Sequence, residues 1–128
     1  MSDHVVGLDH VQVAAPAGCE DDARRFYGRL LGLEELDKPA PLAVRGGVWF
    51  RFGAHELHVG VADDFTPATK AHPALRVRSI EALEQVAARL REAGGDVTWA
   101  DPDEITGTSR FHVHDPWGNR LELVVREE

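Results

Sequence analysis

One succession of segments occurs twice in this chain, and that repetition limits the fold more than any single motif. In the first half, Val5 to Val13 alternates as a strand, with Val11 and Val13 on one face and Leu8, His10 and Gln12 on the other. Pro16 and Gly18 break it. A helix is predicted from about Glu20 to Leu31, where Glu20, Asp21 and Asp22 suit the positive end of a helix. Ala23, Phe26, Tyr27, Leu30 and Leu31 form its apolar stripe, and Gly32 is placed to stop it. A short strand is predicted over Leu33 to Lys38, then a loop at Pro39-Ala40-Pro41. Two further strands, Val48 to Phe52 and Glu56 to Val61, are joined at Gly53-Ala54.

The second half repeats the order after a polar loop from Asp63 to Lys70. Ala71 to Val77 is extended, with Pro73 favouring a strand start or an edge. Ser79 is a helix cap, and Ile80, Leu83, Val86, Ala87 and Leu90 run down one helix face to Gly94-Gly95. A short strand over Asp96 to Ala100, a loop over Asp101 to Thr108 and a closing hairpin complete the chain. The expected fold class is therefore α+β, two tandem βαβββ modules of about 5–62 and 71–126 within one domain. The spacing agrees: His10 and His72 stand 62 residues apart, and His58 and Glu122 stand 64 apart. That period is too long, and two copies too few, for a solenoid.

The closing strand carries an anomaly that the repeat addresses. Leu121, Leu123 and Val125 share one side of it, while Glu122 lies on the other with apolar neighbours. A carboxylate placed there needs a partner, because burying an unpaired charge is costly. Each module offers one polar residue from its first strand and one from its last: His10 and His58, then His72 and Glu122. The apolar residues beside them (Val11 and Val13, Leu57 and Val59, Leu75 and Val77, Leu121 and Leu123) are expected to pack against the helices. All four polar residues are then left on the opposite, concave face. Two such faces brought together would direct three imidazoles and one carboxylate into one cavity. This donor set suits a divalent metal such as zinc, nickel, iron, cobalt or manganese. With His10, His72 and Glu122 alone, positions stay open for substrate and water; with His58 as a fourth donor, fewer do.

Composition narrows the function classes. The chain has 128 residues, 43% of them apolar and 28% charged, which fits a soluble domain with a packed interior. Its net charge of −8 argues against nucleic acid as a partner, since such binding needs cations to meet phosphates. No apolar run is long enough to span a membrane, and Met1-Ser2-Asp3-His4 does not open a signal peptide. The single cysteine, Cys19, excludes an intrachain disulfide framework and fits a reducing compartment, so a cytoplasmic location is expected.

The stretches LDHVQV (8–13), ARRFYGRLLGLE (23–34), AHPALRV (71–77) and DPWGNRLELV (115–124) together resemble the vicinal oxygen chelate superfamily. That superfamily includes glyoxalases, fosfomycin resistance proteins, extradiol dioxygenases and bleomycin resistance proteins. The closing DPxGNxLEL pattern is the most specific part, and the resemblance covers nearly the whole chain. It implies metal ligands at His10, His72 and Glu122. The fourth ligand position falls on His58, where glyoxalase I has a glutamate; Glu56 shares its face and is the alternative.

By alternation, Gln12, Arg76, His112 and His114 are expected to face the cavity, with Phe50 and Phe52 as apolar walls. His112 holds a strand position where fosfomycin-modifying relatives have an active-site tyrosine, which makes it a candidate proton carrier beside Glu122. The resemblance further implies a homodimer and a small-molecule substrate that chelates the metal through neighbouring oxygens, in glyoxalase-like lyase, isomerase or transferase chemistry. A non-catalytic protein of the bleomycin-resistance type, sequestering a small molecule in the same groove, is the competing expectation.

Overall fold

The computed structural model of the chain describes residues 4–127. Met1, Ser2 and Asp3, part of the stretch read above as lacking signal-peptide character, lie outside the described residues. The chain forms two compact units, Met1–Phe65 and Thr66–Glu128. Each is a four-stranded mixed sheet with helical segments, and the order of elements in each is βαβββ.

In the first unit the strands are β1 (His10–Ala15), β2 (Glu34–Leu36), β3 (Val48–Phe52) and β4 (His55–Val61). They lie in the order β1-β4-β3-β2, with β1 parallel to β4 and the other pairs antiparallel. The first strand starts later than its alternation implies: Val5, Val6 and Leu8 precede it as exposed chain, and pairing begins at His10. The segment predicted as one helix begins as α1 (Glu20–Ala23) and continues as π-helical winding from Arg24–Leu30. The Leu31 N–H reaches back to the Phe26 carbonyl, five residues earlier. That wider winding turns the expected stripe, so Ala23, Phe26 and Tyr27 are buried while Leu30 and Leu31 are only half-buried. Pro39-Ala40-Pro41 is not a plain loop. It opens a one-turn helix, α2 (Ala40–Ala43), because a proline in the first turn has no N–H to leave unpaired.

In the second unit the strands are β5 (Ala74–Arg76), β6 (Thr98–Trp99), β7 (Thr108–His114) and β8 (Arg120–Arg126). Their order is β5-β8-β7-β6, again with only the first pair parallel. Helix α3 (Ile80–Glu92) is capped by Ser79, whose hydroxyl accepts from the Ala82 N–H at 3.1 Å. It buries Leu83, Val86, Ala87 and Leu90 and packs on β8.

The two cores follow the strand alternation. Val13, Val48, Phe50, Leu57 and Val59 are buried with Phe26 and Tyr27 in the first unit. Leu75, Phe111, Val113, Leu121 and Leu123 are buried with the α3 stripe in the second. Burying a side chain of this size contributes about 1.5–3 kcal/mol, so the helix-facing rows hold each sheet to its helix. The turn into β8 is locked by its own side chains. Asp115 Oδ1 accepts from the N–H groups of Trp117 (3.1 Å) and Asn119 (2.9 Å), and Gly118 takes a φ of 96°. Asn119 Oδ1 accepts from the Ala68 N–H at 3.0 Å, which ties the turn to the chain entering β5. This is the physical content of the DPxGN pattern: it sets where β8 begins, and so which way Glu122 points.

Candidate metal centre and the rows that build it

In both units a row of three side chains crosses the sheet on the face away from the buried apolar set. The pairing register defines it. In the second unit Glu122 stands opposite His112 on β7 and Ala74 on β5, and His72 lies two residues before Ala74. In the first unit His58 stands opposite Trp49 on β3 and Gln12 on β1, and His10 lies two residues before Gln12. The row His72–Glu122–His112 therefore has its internal counterpart in His10–His58–Trp49. This supports the matching of His58 with Glu122 across the repeat.

The second-unit row converges on one oxygen. Glu122 Oε1 lies 3.2 Å from His72 Nε2 and 3.1 Å from His112 Nε2. The Arg110 guanidinium is 3.6 Å from the same oxygen and bonds Glu104 on its other side. The ligand atoms of His72, His112 and Glu122 all lie within 4.8 Å of one another, the single such group of three among the described residues. His72 Nδ1 faces the Lys70 carbonyl oxygen at 3.0 Å, and a carbonyl only accepts, so Nδ1 carries the proton. In the neutral ring Nε2 then has only a lone pair, aimed at a carboxylate oxygen. Two acceptors at that distance need a cation between them, a proton or a metal ion. The donor types, with one ring nitrogen of His72 held by an oxygen behind it, are those of a divalent-metal site.

His112 is held below the ordinary histidine range. Burial is the largest cause and the charge of Arg120 adds to it, while Glu122 opposes both. A neutral ring in that position can accept a proton at neutral pH.

The first-unit row is a stack of rings. His58 lies against Trp49 with centroids 4.0 Å apart and planes 4° apart, and against His10 at 4.4 Å and 18°. Its Nε2–H donates to Glu56 Oε1 at 2.9 Å. His10 Nδ1 is held by Asp9 Oδ1 at 2.7 Å, which leaves Nε2 free.

The remaining expected site residues divide. Gln12 is on the His58 face and lies over Gly60, where a Cβ would come within 2.5 Å of its amide nitrogen. Arg76 is exposed beside Val124. His114 shares the His112 face, but its ring and N–H are both taken by Asp96, at 2.5 and 3.0 Å. Phe50 and Phe52 are corrected. Phe50 pairs with Leu57, is fully buried and has its ring against Tyr27, and Phe52, two residues on, shares its face. Alternation sorts β3 into two faces without saying which is inside, and the register places Trp49 on the polar face instead. Sequence reasoning also passed over Arg110 and Asp9. Arg110 lies two residues from His112 on the same strand, so alternation alone could have found it.

Comparison with known proteins agrees with this architecture. Residues 7–123 match the family model of the glyoxalase/bleomycin resistance protein/dioxygenase superfamily. The chain belongs to that superfamily. Among solved structures, a glyoxalase family protein from Bacillus anthracis is 43% identical with a TM-score of 0.89, over 99% of this chain and 100% of that one. A genomically encoded fosfomycin resistance protein from Listeria monocytogenes is 16% identical (TM-score 0.71), covering 97% of this chain and 94% of that one. A lactoylglutathione lyase from Agrobacterium tumefaciens is 20% identical (TM-score 0.68), covering 93% of this chain and 92% of its own. At these lower identities the likeness is one of fold. No curated protein matches the chain.

Proposed function

We propose that this chain is a metal-dependent enzyme acting on a small molecule with two neighbouring oxygens, in glyoxalase-like lyase, isomerase or transferase chemistry. The observation that carries this reading is the convergence of His72 Nε2 and His112 Nε2 on Glu122 Oε1, with His72 Nδ1 already committed to a carbonyl. His72 and Glu122 would hold the ion. The resemblance to the superfamily adds His10 as a further donor, and its Nε2 is free to serve. A divalent cation there supplies Lewis acidity, drawing charge from substrate oxygens. Zinc, nickel, iron, cobalt and manganese all accept such donors.

The chain's own groups do the rest. His112, kept neutral by burial and Arg120, is the group that takes a proton from the substrate and returns it. Glu122 is the alternative base, and the Arg110 guanidinium lies 3.6 Å from its Oε1. Gln12 and Arg76 are the polar groups offered to substrate.

Metal analysis of the purified protein tests the reading. One divalent ion per chain is expected in the wild type, with strong loss in His10→Ala, His72→Ala and Glu122→Gln. Full occupancy in all three variants, or a metal-free protein that tightly binds a cationic drug, would overturn it.

A further inference from the structure

The face of the second sheet that carries Glu122 is crowded with arginine, in a chain whose net charge is −8. The register places four of them there. Arg76 on β5 and Arg110 on β7 both stand opposite Val124, while Arg120 and Arg126 on β8 stand opposite His114 and Thr108. Same-face neighbours along a strand are about 7 Å apart, so Arg120 lies directly beside Glu122. Two further carboxylates reach this face, and both are committed. Glu104 bonds Arg110, which also approaches Glu122, and Asp96 holds His114. Arg76 and Arg120 are left with no carboxylate and no side-chain hydrogen bond among the described residues. Arg76 is exposed, but Arg120 is half-buried. A cation drawn partly out of water without a counter-charge is costly. Burial and then the charge of Arg120 hold His112 below the ordinary histidine range, so that charge is felt inside the site.

We propose that the substrate carries an oxyanion, a carboxylate or a phosphate, beyond its chelating pair of oxygens, and that Arg120 is the specificity-determining residue that receives it. Arg76 adds attraction from the exposed side of the same face. A guanidinium meets either oxyanion through two parallel N–H donors. A neutral chelating molecule leaves Arg120 half-buried and unmatched, which selects against it. This inference rests on the metal-dependent reading above.

A matched pair of probes tests it. 2-Oxopentanedioate and 2-oxopentanoate share a chelating end and a length, and only the first ends in a second carboxylate. Titrated calorimetrically into the cobalt(II)-loaded whole protein, the first is expected to bind about 10-fold more tightly. Arg120→Gln is expected to erase that preference with cobalt content unchanged, and Arg120→Lys, which keeps the charge, to retain most of it. Arg76→Gln is expected to reduce the preference at low salt and to equal the wild type at about 1 M salt, where exposed charges are screened. 2-Oxo-4-phosphonobutanoate tells the oxyanions apart: tighter binding than the dicarboxylate assigns Arg120 to a phosphate-type group, weaker binding to a carboxylate. Inorganic phosphate, titrated into the metal-free protein, reads the arginines without the ion and is expected to bind less well to Arg120→Gln.

Equal binding of the two oxo acids by the cobalt-loaded wild type would overturn the inference and leave the metal centre standing. So would a preference that survives in Arg120→Gln. A wild type that takes up no cobalt overturns the metal-dependent reading instead. In that case, or if neither oxo acid binds, the phosphate titration decides, and identical results for wild type and Arg120→Gln count against Arg120.

Discussion

Gly47 has a φ of 87°, and a Cβ on it would come within 2.2 Å of the Val59 carbonyl oxygen. Only glycine allows β3 to start that close to β4, and the register it sets places Trp49 opposite His58. The Gly47 N–H is also the main reason that the Glu20 carboxyl titrates below its ordinary range, through a 2.6 Å bond to Oε2. A depressed carboxyl stabilises the fold above its unfolded-state pKa, and that contribution is lost as pH falls through the folded value. Glu20→Gln should therefore lower stability near neutrality and flatten its decline on the acid side, read from urea denaturation across the carboxylate range. Cys19, next to it, is buried; burial first and then Glu20 push its thiol up, so it is no reactive nucleophile. At this scale the histidines and the carboxylate of the two rows were legible. Which nitrogen of each histidine is free was not, because Asp9, Lys70 and Glu56 meet those rings only through the folded backbone.

Among the elements, the helix of the second unit formed as its sequence implies and that of the first did not. Ser79, an acidic first turn and a regular stripe give α3 a cap and a single buried face. Ser79→Ala should cost about 1 kcal/mol of stability in urea denaturation, with the helix otherwise retained. The segment after Cys19 has a comparable stripe, yet it winds as a π-helix from Arg24 onward, with Phe26 and Tyr27 buried beside β3. Local periodicity records which residues are apolar and not how many of them the sheet will admit. The strands show the same division. The alternation in β4 and β8 was legible, whereas the side of β3 on which Phe50 and Phe52 lie was decided by the turn at Gly53-Ala54 and the pairing of Phe50 with Leu57.

For the whole molecule, a repeated βαβββ pattern and a closing DPxGNxLEL turn identified the superfamily, which the family match over residues 7–123 shows. No helix among the described residues is long and apolar enough to cross a membrane. We expect two copies to assemble, and light scattering at micromolar concentration should return about twice the 14.1 kDa of one chain; a single-chain mass would count against it. The sequence by itself determined the doubled architecture and the positions of His10, His58, His72 and Glu122, because alternation and spacing are properties of the chain alone. The tertiary structure decided that His112 and Arg110 gather at Glu122, that Trp49 and not Phe50 shares a face with His58, and that His58 is turned toward Glu56. Those contacts join residues on different strands, and their geometry exists only once hydrogen bonding has set the register of one strand against the next.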